Sequence, residues 1–198
     1  MALNIPPAPL ASAQALRQGL QALPERNKQT FMTEASGGAP PEQTLPHQVF
    51  LMSAGDVLAS GALDNSRPAA WRYILQQPAD LKGGVARVTA EVTETQGGYR
   101  FANLQHGWIT EATRNAVQYA RSLPQVANGS FDLRMLRIPA LLLDALWLKN
   151  RDQGEDLVVP IASRCPVVRP NTVYRPMEFL AAVKDLAAKV MSFDNQPR

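Results

Sequence analysis

A single cysteine, Cys165, and only two histidines, His47 and His106, sit in a chain of 198 residues. With one thiol no intrachain disulfide can form, which excludes the stapled scaffolds of small secreted domains. Two histidines far apart in sequence give no metal-ligand spacing of the CxxC or HExxH kind. Phosphate cradles are missing too. The sequence has no GxxxxGK and no GxGxxG, and Gly83-Gly84 and Gly97-Gly98 read as loop and hairpin glycines. No metal or organic cofactor is therefore expected. The longest apolar stretch is interrupted by Asp144, short of the roughly 20 residues that a membrane span needs. The start, Met1-Ala2-Leu3-Asn4-Ile5-Pro6-Pro7, has neither a basic segment nor a useful apolar one, so no leader is expected and a cytoplasmic location is. The formal charge of +3 is too small and too dispersed for a nucleic-acid footprint.

What is present is a globular composition. The chain is 45% hydrophobic, and chains of this size bury roughly 70% of their unfolded surface, enough for a core without staples. Residues 1–46 differ from the rest. They hold Pro6, Pro7, Pro9, Pro24, Pro40, Pro41 and Pro46 with Gly37 and Gly38, and read as an arm whose stretch from Glu34 to Pro46 is a linker. Within the arm, Ser12 is placed to cap a short helix carrying Leu16, Leu20 and Leu23. Residues 47–198 are expected to form a single α+β domain.

In that domain Phe131 to Ala162 carries the strongest signal. Phe131, Leu133 and Met135 alternate with Asp132 and Arg134, and a polar turn from Lys149 to Asp156 separates the run from Leu157 to Ile161. Pro139 to Leu146 has helical propensity, but a helix there would be apolar on nearly every side. Two strand segments joined at Pro139 are the better reading, giving a buried hairpin. Val85 to Thr95 alternates, with Val85, Arg87, Thr89, Glu91 and Thr93 on an outward face and Val88, Ala90 and Val92 on an inward one. Gly97-Gly98 returns the chain through Tyr99, Phe101 and Leu104. Val49 to Met52 and Val57 to Ala59 flank Ser53-Ala54-Gly55-Asp56 and read as a further hairpin. Asn65-Ser66-Arg67-Pro68 marks a turn or a helix start with Pro68 at the first position, and Trp71, Tyr73 and Leu75 alternate as a strand, with a single helical stretch as the competing reading. Helices are predicted from about Thr110 to Leu123 and from Pro176 to about Met191, on apolar stripes at steps of three and four. The expected fold is thus α+β: a mainly antiparallel sheet of hairpins, two helices on one side, and a partly extended N-terminal arm.

Chemistry is sparse. Cys165 follows Arg164, whose charge favours a thiolate, but a cysteine nucleophile needs an imidazole within reach, and only His47 and His106 are available. Asp144 is the one acid inside an apolar run. It is either a functional acid lining a pocket or a strand carboxylate facing solvent or an arginine of a neighbouring strand, and the second reading follows the general rule that charges inside proteins are rare and paired. Arg164, Arg169, Tyr174 and Arg175 lie on a basic, proline-rich loop that leads into the last helix, a pattern suited to an anionic ligand. Trp71, Trp108 and Trp147 are core candidates. The leading expectation is a non-catalytic protein that binds a protein partner or small anionic ligand. A small hydrolase or transferase using Cys165 or Asp144 with His47 or His106 is the alternative. A third is a subunit of a larger assembly, with a homo-oligomer formed through the N-terminal arm.

Overall fold

The computed structural model describes residues 3–23, 42–59, 62–76, 87–161 and 165–194. Among them are five α-helices: α1 (Leu10–Gln21), α2 (Ala54–Ala59), α3 (Trp108–Ser122), α4 (Pro124–Asn128) and α5 (Pro176–Asp194). The seven strands are β1 (Glu42–Leu51), β2 (Arg67–Gln76), β3 (Arg87–Thr95), β4 (Gly98–His106), β5 (Phe131–Ile138), β6 (Leu143–Asn150) and β7 (Leu157–Pro160). They are hydrogen-bonded in the order β4-β3-β2-β1-β5-β6-β7. The fold is α+β and hairpins dominate, but the sheet is mixed. β1 runs parallel to β5, from Gln48 opposite Arg134 to Leu51 opposite Arg137. A parallel pair joins residues far apart in sequence, so no local pattern announces it. The chain divides into two compact units, one of residues 1–6, 48–69 and 112–198 and one of residues 7–47 and 70–111.

The first unit holds the apolar run. β5 turns through a 3-10 segment, Pro139–Leu141, and β6 returns antiparallel, with Phe131 opposite Asn150 and Ile138 opposite Leu143. Leu142 completes the turn in the left-handed region at φ 50°, a conformation costly for a side-chain-bearing residue. β7 then pairs antiparallel with β6. Strand wins over helix here because both faces find cover. Leu133, Met135, Leu146 and Leu148 are buried on one. On the other, Leu136, Ile138, Ala145 and Trp147 pack with Phe179, Leu180, Val183 and Ala187 of α5. Each large apolar side chain so buried contributes about 1.5–3 kcal/mol.

The second unit places α1 on β3 and β4. Leu16 is fully buried with Trp71, Tyr73, Leu75, Val88, Ala90 and Val92. β2 and β3 pair antiparallel, as do β3 and β4, with an irregularity that leaves Ala102 without a partner in β3. The opposite sheet face is also covered. The Thr89 hydroxyl is 2.8 Å from that of Thr110 at the start of α3, so helices do not lie on one side alone.

Four local expectations are corrected. Residues 54–59 are helical, not the return strand of a hairpin. Ser53 and Asp56 form a capping box: the Asp56 amide donates to the Ser53 hydroxyl at 3.1 Å, and the Ser53 amide donates to the Asp56 carboxylate at 2.9 Å. Ser12 is not a cap. It sits inside α1, which starts at Leu10, and its buried hydroxyl is 2.7 Å from that of Tyr73. Burial raises the Tyr73 phenol above its ordinary value, keeping it protonated for that bond. The outward face assigned to β3 is buried at Thr89 and Glu91. Glu91 lies directly across from Arg72 and meets its guanidinium at 3.1 Å. Residues 42–46 belong to β1 rather than to a linker. Val85 and residues 34–41 lie outside the described residues.

Two predictions follow from these local arrangements. At Gly19 a Cβ would lie 2.1 Å from Phe101 Cγ and 2.3 Å from its Cβ, too near the backbone for the ring to swing away. Gly19→Ala is therefore expected to lower stability by about 1–3 kcal/mol in urea denaturation, although alanine is the better helix former by about 1 kcal/mol. A more stable variant would mean that α1 does not seat on β4 in this way. At Asp56, hydrogen bonds from the Ser53 hydroxyl and amide hold the carboxyl below its ordinary value. The folded pKa is the lower one, so the cap's contribution is complete above the unfolded value and fades as pH falls through the folded one. In Ser53→Ala, NMR titration of Asp56 should show its pKa rise. An unmoved titration would remove the capping box.

Candidate functional site

Of the residues singled out from sequence, Asp144 is paired on the sheet, Cys165 lies in the core and His47 is buried in β1. Asp144 sits on β6 opposite Arg137 of β5, and Arg137 Nε donates to its Oδ1 at 3.1 Å with both side chains about four-fifths buried. This is the paired-carboxylate arrangement. Cys165 is buried in the apolar cluster of the first unit with Phe179, Val168 and Val183. His47 is buried within β1, its Nδ1 2.8 Å from the Leu45 carbonyl oxygen, and it belongs to the second unit, whereas Cys165 and Asp144 belong to the first. The His106 side chain lies outside the described residues, although its backbone ends β4. Trp71 and Trp147 are core residues and Trp108 is exposed.

The basic loop is built from the sheet outward. Tyr174 bridges to β7: its amide donates to the Val158 carbonyl and its carbonyl accepts from the Val158 amide, each at 2.9 Å. Its hydroxyl accepts from the Arg169 amide at 3.0 Å and its ring meets Phe179 edge-on. Tyr174 thus fixes the loop. Arg169 and Arg175 are exposed. Arg175 forms an open ion pair with Glu155 at 3.3 Å, and its amide donates to Glu178 in the first turn of α5. The helix end is therefore satisfied by its own glutamate. Arg164 is outside the described residues.

Two features escaped the sequence reading. The first is a polar cluster around Trp147. The Arg134 guanidinium lies 4.9 Å from the Phe50 ring centre and 4.8 Å from that of Trp147. Trp147 Nε1 donates to Asp156 at 2.8 Å, and Lys149 bridges Asp64 at 3.0 Å and Asp156 at 3.2 Å. Partial burial works against the Lys149 charge, but the hydrogen bonds to Asp64 and Asp156 outweigh it, so its pKa lies above the ordinary lysine value. Asp156 also accepts the Asn150 amide, and Asn150 accepts those of Asp152 and Gly154. The cluster ties down the β6–β7 turn. Its signal in the sequence was the polar alternation at Asp132 and Arg134, which gave no hint of the aromatic partners.

The second feature is an open groove of about 330 Å³ between α2 and α5, lined by Val57, Leu58, Met177, Leu180, Ala181 and Lys184. Leu180 and Val57 form its floor, and Met177 is 77% exposed. The lining positions of α5 fall at steps of three and four from Met177. That second stripe was hidden because α2, the other wall, was read as a strand.

Family models, curated proteins and solved structures give no match to this chain. Among the described residues no group of three or more His, Cys, Asp or Glu is placed to hold a metal, and no helix is long and apolar enough to cross a membrane.

Burial of Cys165 makes a direct prediction. Its thiol should react with Ellman's reagent only as fast as the fold opens, in step with denaturant-driven unfolding. Immediate stoichiometric labelling of the native protein would place the thiol at the surface and reopen a catalytic role.

Proposed function

We propose that this chain is a non-catalytic binding protein, and that the α2–α5 groove takes apolar side chains of a protein partner with an acidic flank. The observation that carries this reading is the exposure of Met177 beside Leu58 over a buried apolar floor. Exposed apolar side chains gathered in a depression are what a partner's side chains displace water from. The groove is open rather than enclosed, which suits protein side chains better than a small molecule that must be mostly surrounded. Lys184 lines it, and Arg175 stands two residues before Met177 at the entry to α5. The exposed Arg175–Glu155 pair is worth at most about 1 kcal/mol, so a partner carboxylate can replace Glu155 at little loss. The anionic recognition read from Arg169 and Arg175 is in this way part of the same binding event. Engagement of Cys165 in the core and of Asp144 with Arg137 supports a non-catalytic role.

A photo-crosslinking residue substituted at Met177 should give a defined adduct with one protein identifiable by mass spectrometry. The same residue at Asp152, exposed in the β6–β7 turn, should not. Once the partner is known, Met177→Asp and Arg175→Ala should each weaken binding, the first by tenfold or more, about 1.4 kcal/mol, with little change in melting temperature because both side chains are exposed. Equal adducts at both positions, or full affinity in Met177→Asp, would remove the groove from function.

A further inference from the structure

A second open groove, of about 440 Å³, lies between α1 and β4 and is lined by polar Gln18 and Arg100 as well as Gly19, Tyr99 and Phe101. A chemically more specific feature lies on the sheet face that packs with α5. Toward the start of β5 that face turns polar. Gln48, Arg134 and Trp147 stand side by side on β1, β5 and β6, and Asp132 and Lys149 form the next row. Arg134 is half-buried. Its guanidinium lies in the corner between the Phe50 and Trp147 rings, whose centres are 5.1 Å apart at an interplanar angle of 76°. Both rings are buried, and Trp147 is pinned by its bond to Asp156. The carboxylates around this corner are already taken. Asp64 and Asp156 hold Lys149, and Asp132 is held by the Asn4 side-chain amide and by Arg151. Arg134 itself meets the two rings and, among the described residues, forms no side-chain hydrogen bond and no ion pair.

We infer that Arg134 anchors a carboxylate-binding site, with the Gln48 amide beside it as a second donor. A guanidinium carries its N–H donors in a planar fork, and contact with aromatic rings makes no use of them. The corner between Phe50 and Trp147 limits the directions in which the group turns. A fork held in advance loses little freedom on meeting a carboxylate. No internal acid has to be displaced first, because Asp132, two residues back along β5, is bonded elsewhere. Charge selects the class of anion. Arg134, Lys149 and Arg151 are balanced by Asp64, Asp132 and Asp156. A polyanion such as a nucleic acid therefore gains no long-range attraction here. A phosphate ester brings a second charge near neutral pH and meets three nearby carboxylates at greater cost than a singly charged group does. What the corner offers is directional recognition of one charge by a planar fork, which is the geometry of an arginine–carboxylate pair. This site shares no residue with the α2–α5 groove and does not depend on that reading.

The test is an NMR titration of the full-length chain in which acetate replaces chloride at constant ionic strength. The reporters are the Arg134 Nε–H and Trp147 Nε1–H resonances, assigned by through-bond experiments. The expected result is a saturating shift of both, half-complete in the millimolar range, as suits a single charged contact. Inorganic phosphate in place of acetate should bind more weakly. Two peptides then distinguish the sources of a carboxylate: a capped tripeptide with a central aspartate, and an acetylated dialanine with a free C-terminus. Tighter binding of the first assigns an acidic side chain, tighter binding of the second a chain terminus, and no gain from either a small organic acid. Arg134→Lys keeps the charge and loses the fork, and should weaken acetate binding at least tenfold, read from Trp147 Nε1–H. Circular dichroism melts check that it folds. If it does not, Gln48→Glu, which sets a carboxylate beside the fork, takes its place with the same expected loss. No saturating shift with acetate, phosphate binding at least as tight, or unchanged affinity in the folded variant would overturn the inference.

Discussion

The fold depends on a backbone constraint in the β5–β6 pair. Both faces of this hairpin are apolar and buried, so the peptide groups between those faces have no access to water and must bond within the sheet. β5 bonds to β6 on one side and to β1 on the other, and β6 bonds to β5 and β7. The parallel strand β1 is therefore a consequence of burying β5, not an added decoration. The same constraint brings α5 onto the face bearing Leu136, Ile138 and Trp147, because apolar side chains standing from a sheet need a second layer. The loop before α5 must reach that layer from β7. Tyr174 makes the crossing, bonding to Val158 with its backbone and to Phe179 with its ring.

Polar groups inside this framework are paired with unusual directness. Arg72 and Glu91 face each other on adjacent strands, with the guanidinium almost fully buried. Removing one partner of such a pair costs about 3–5 kcal/mol, since the other is left charged and desolvated. A slip of one residue between β2 and β3 would turn the two to opposite faces, so the pair fixes register as well as satisfying charge. Arg137 and Asp144 do the same for β5 and β6 at a more accessible position. Ser12 and Tyr73 add an uncharged hydroxyl–hydroxyl bond to the apolar packing of α1 on β2.

Legibility in the sequence followed the range of each interaction. The β3–β4 and β5–β6 hairpins, α3 and α5 declared themselves through alternation or helical stripes, which are local. The parallel β1–β5 pair, joining positions more than eighty residues apart, did not. Ser53-Ala54-Gly55-Asp56 carried two competing local signals, a turn and a capping box, and the turn was chosen because Val57 to Ala59 looked like a returning strand. The apolar floor under α2 favours the helix, and that floor is supplied by α5, far along the chain. Thr89 and Glu91 misled for a related reason. Alternation of polar and apolar residues reports exposure only when the polar face meets water, and here it meets Thr110 and Arg72. For the sites, Asp144 with an arginine of a neighbouring strand was legible from Arg137 on the same segment. The two grooves were not, because each is a space between elements that no single stretch encodes.

This distribution of polar and apolar groups bears on function through the cost of leaving a feature unused. The fold absorbs Cys165 in its apolar core and Asp144 in its pair with Arg137. Surface apolar area is different. Met177 at the α2–α5 groove and the depression beside β4 hold water against nonpolar side chains, a standing penalty of roughly 25 cal/mol per Å². The fold shows that such surface can be closed by local means, since Tyr174 and Pro160 close β7. Among the described residues, β7 is bridged by Tyr174 and ends in Pro160, whereas Met177 and the depressions beside α2 and β4 leave nonpolar side chains facing solvent.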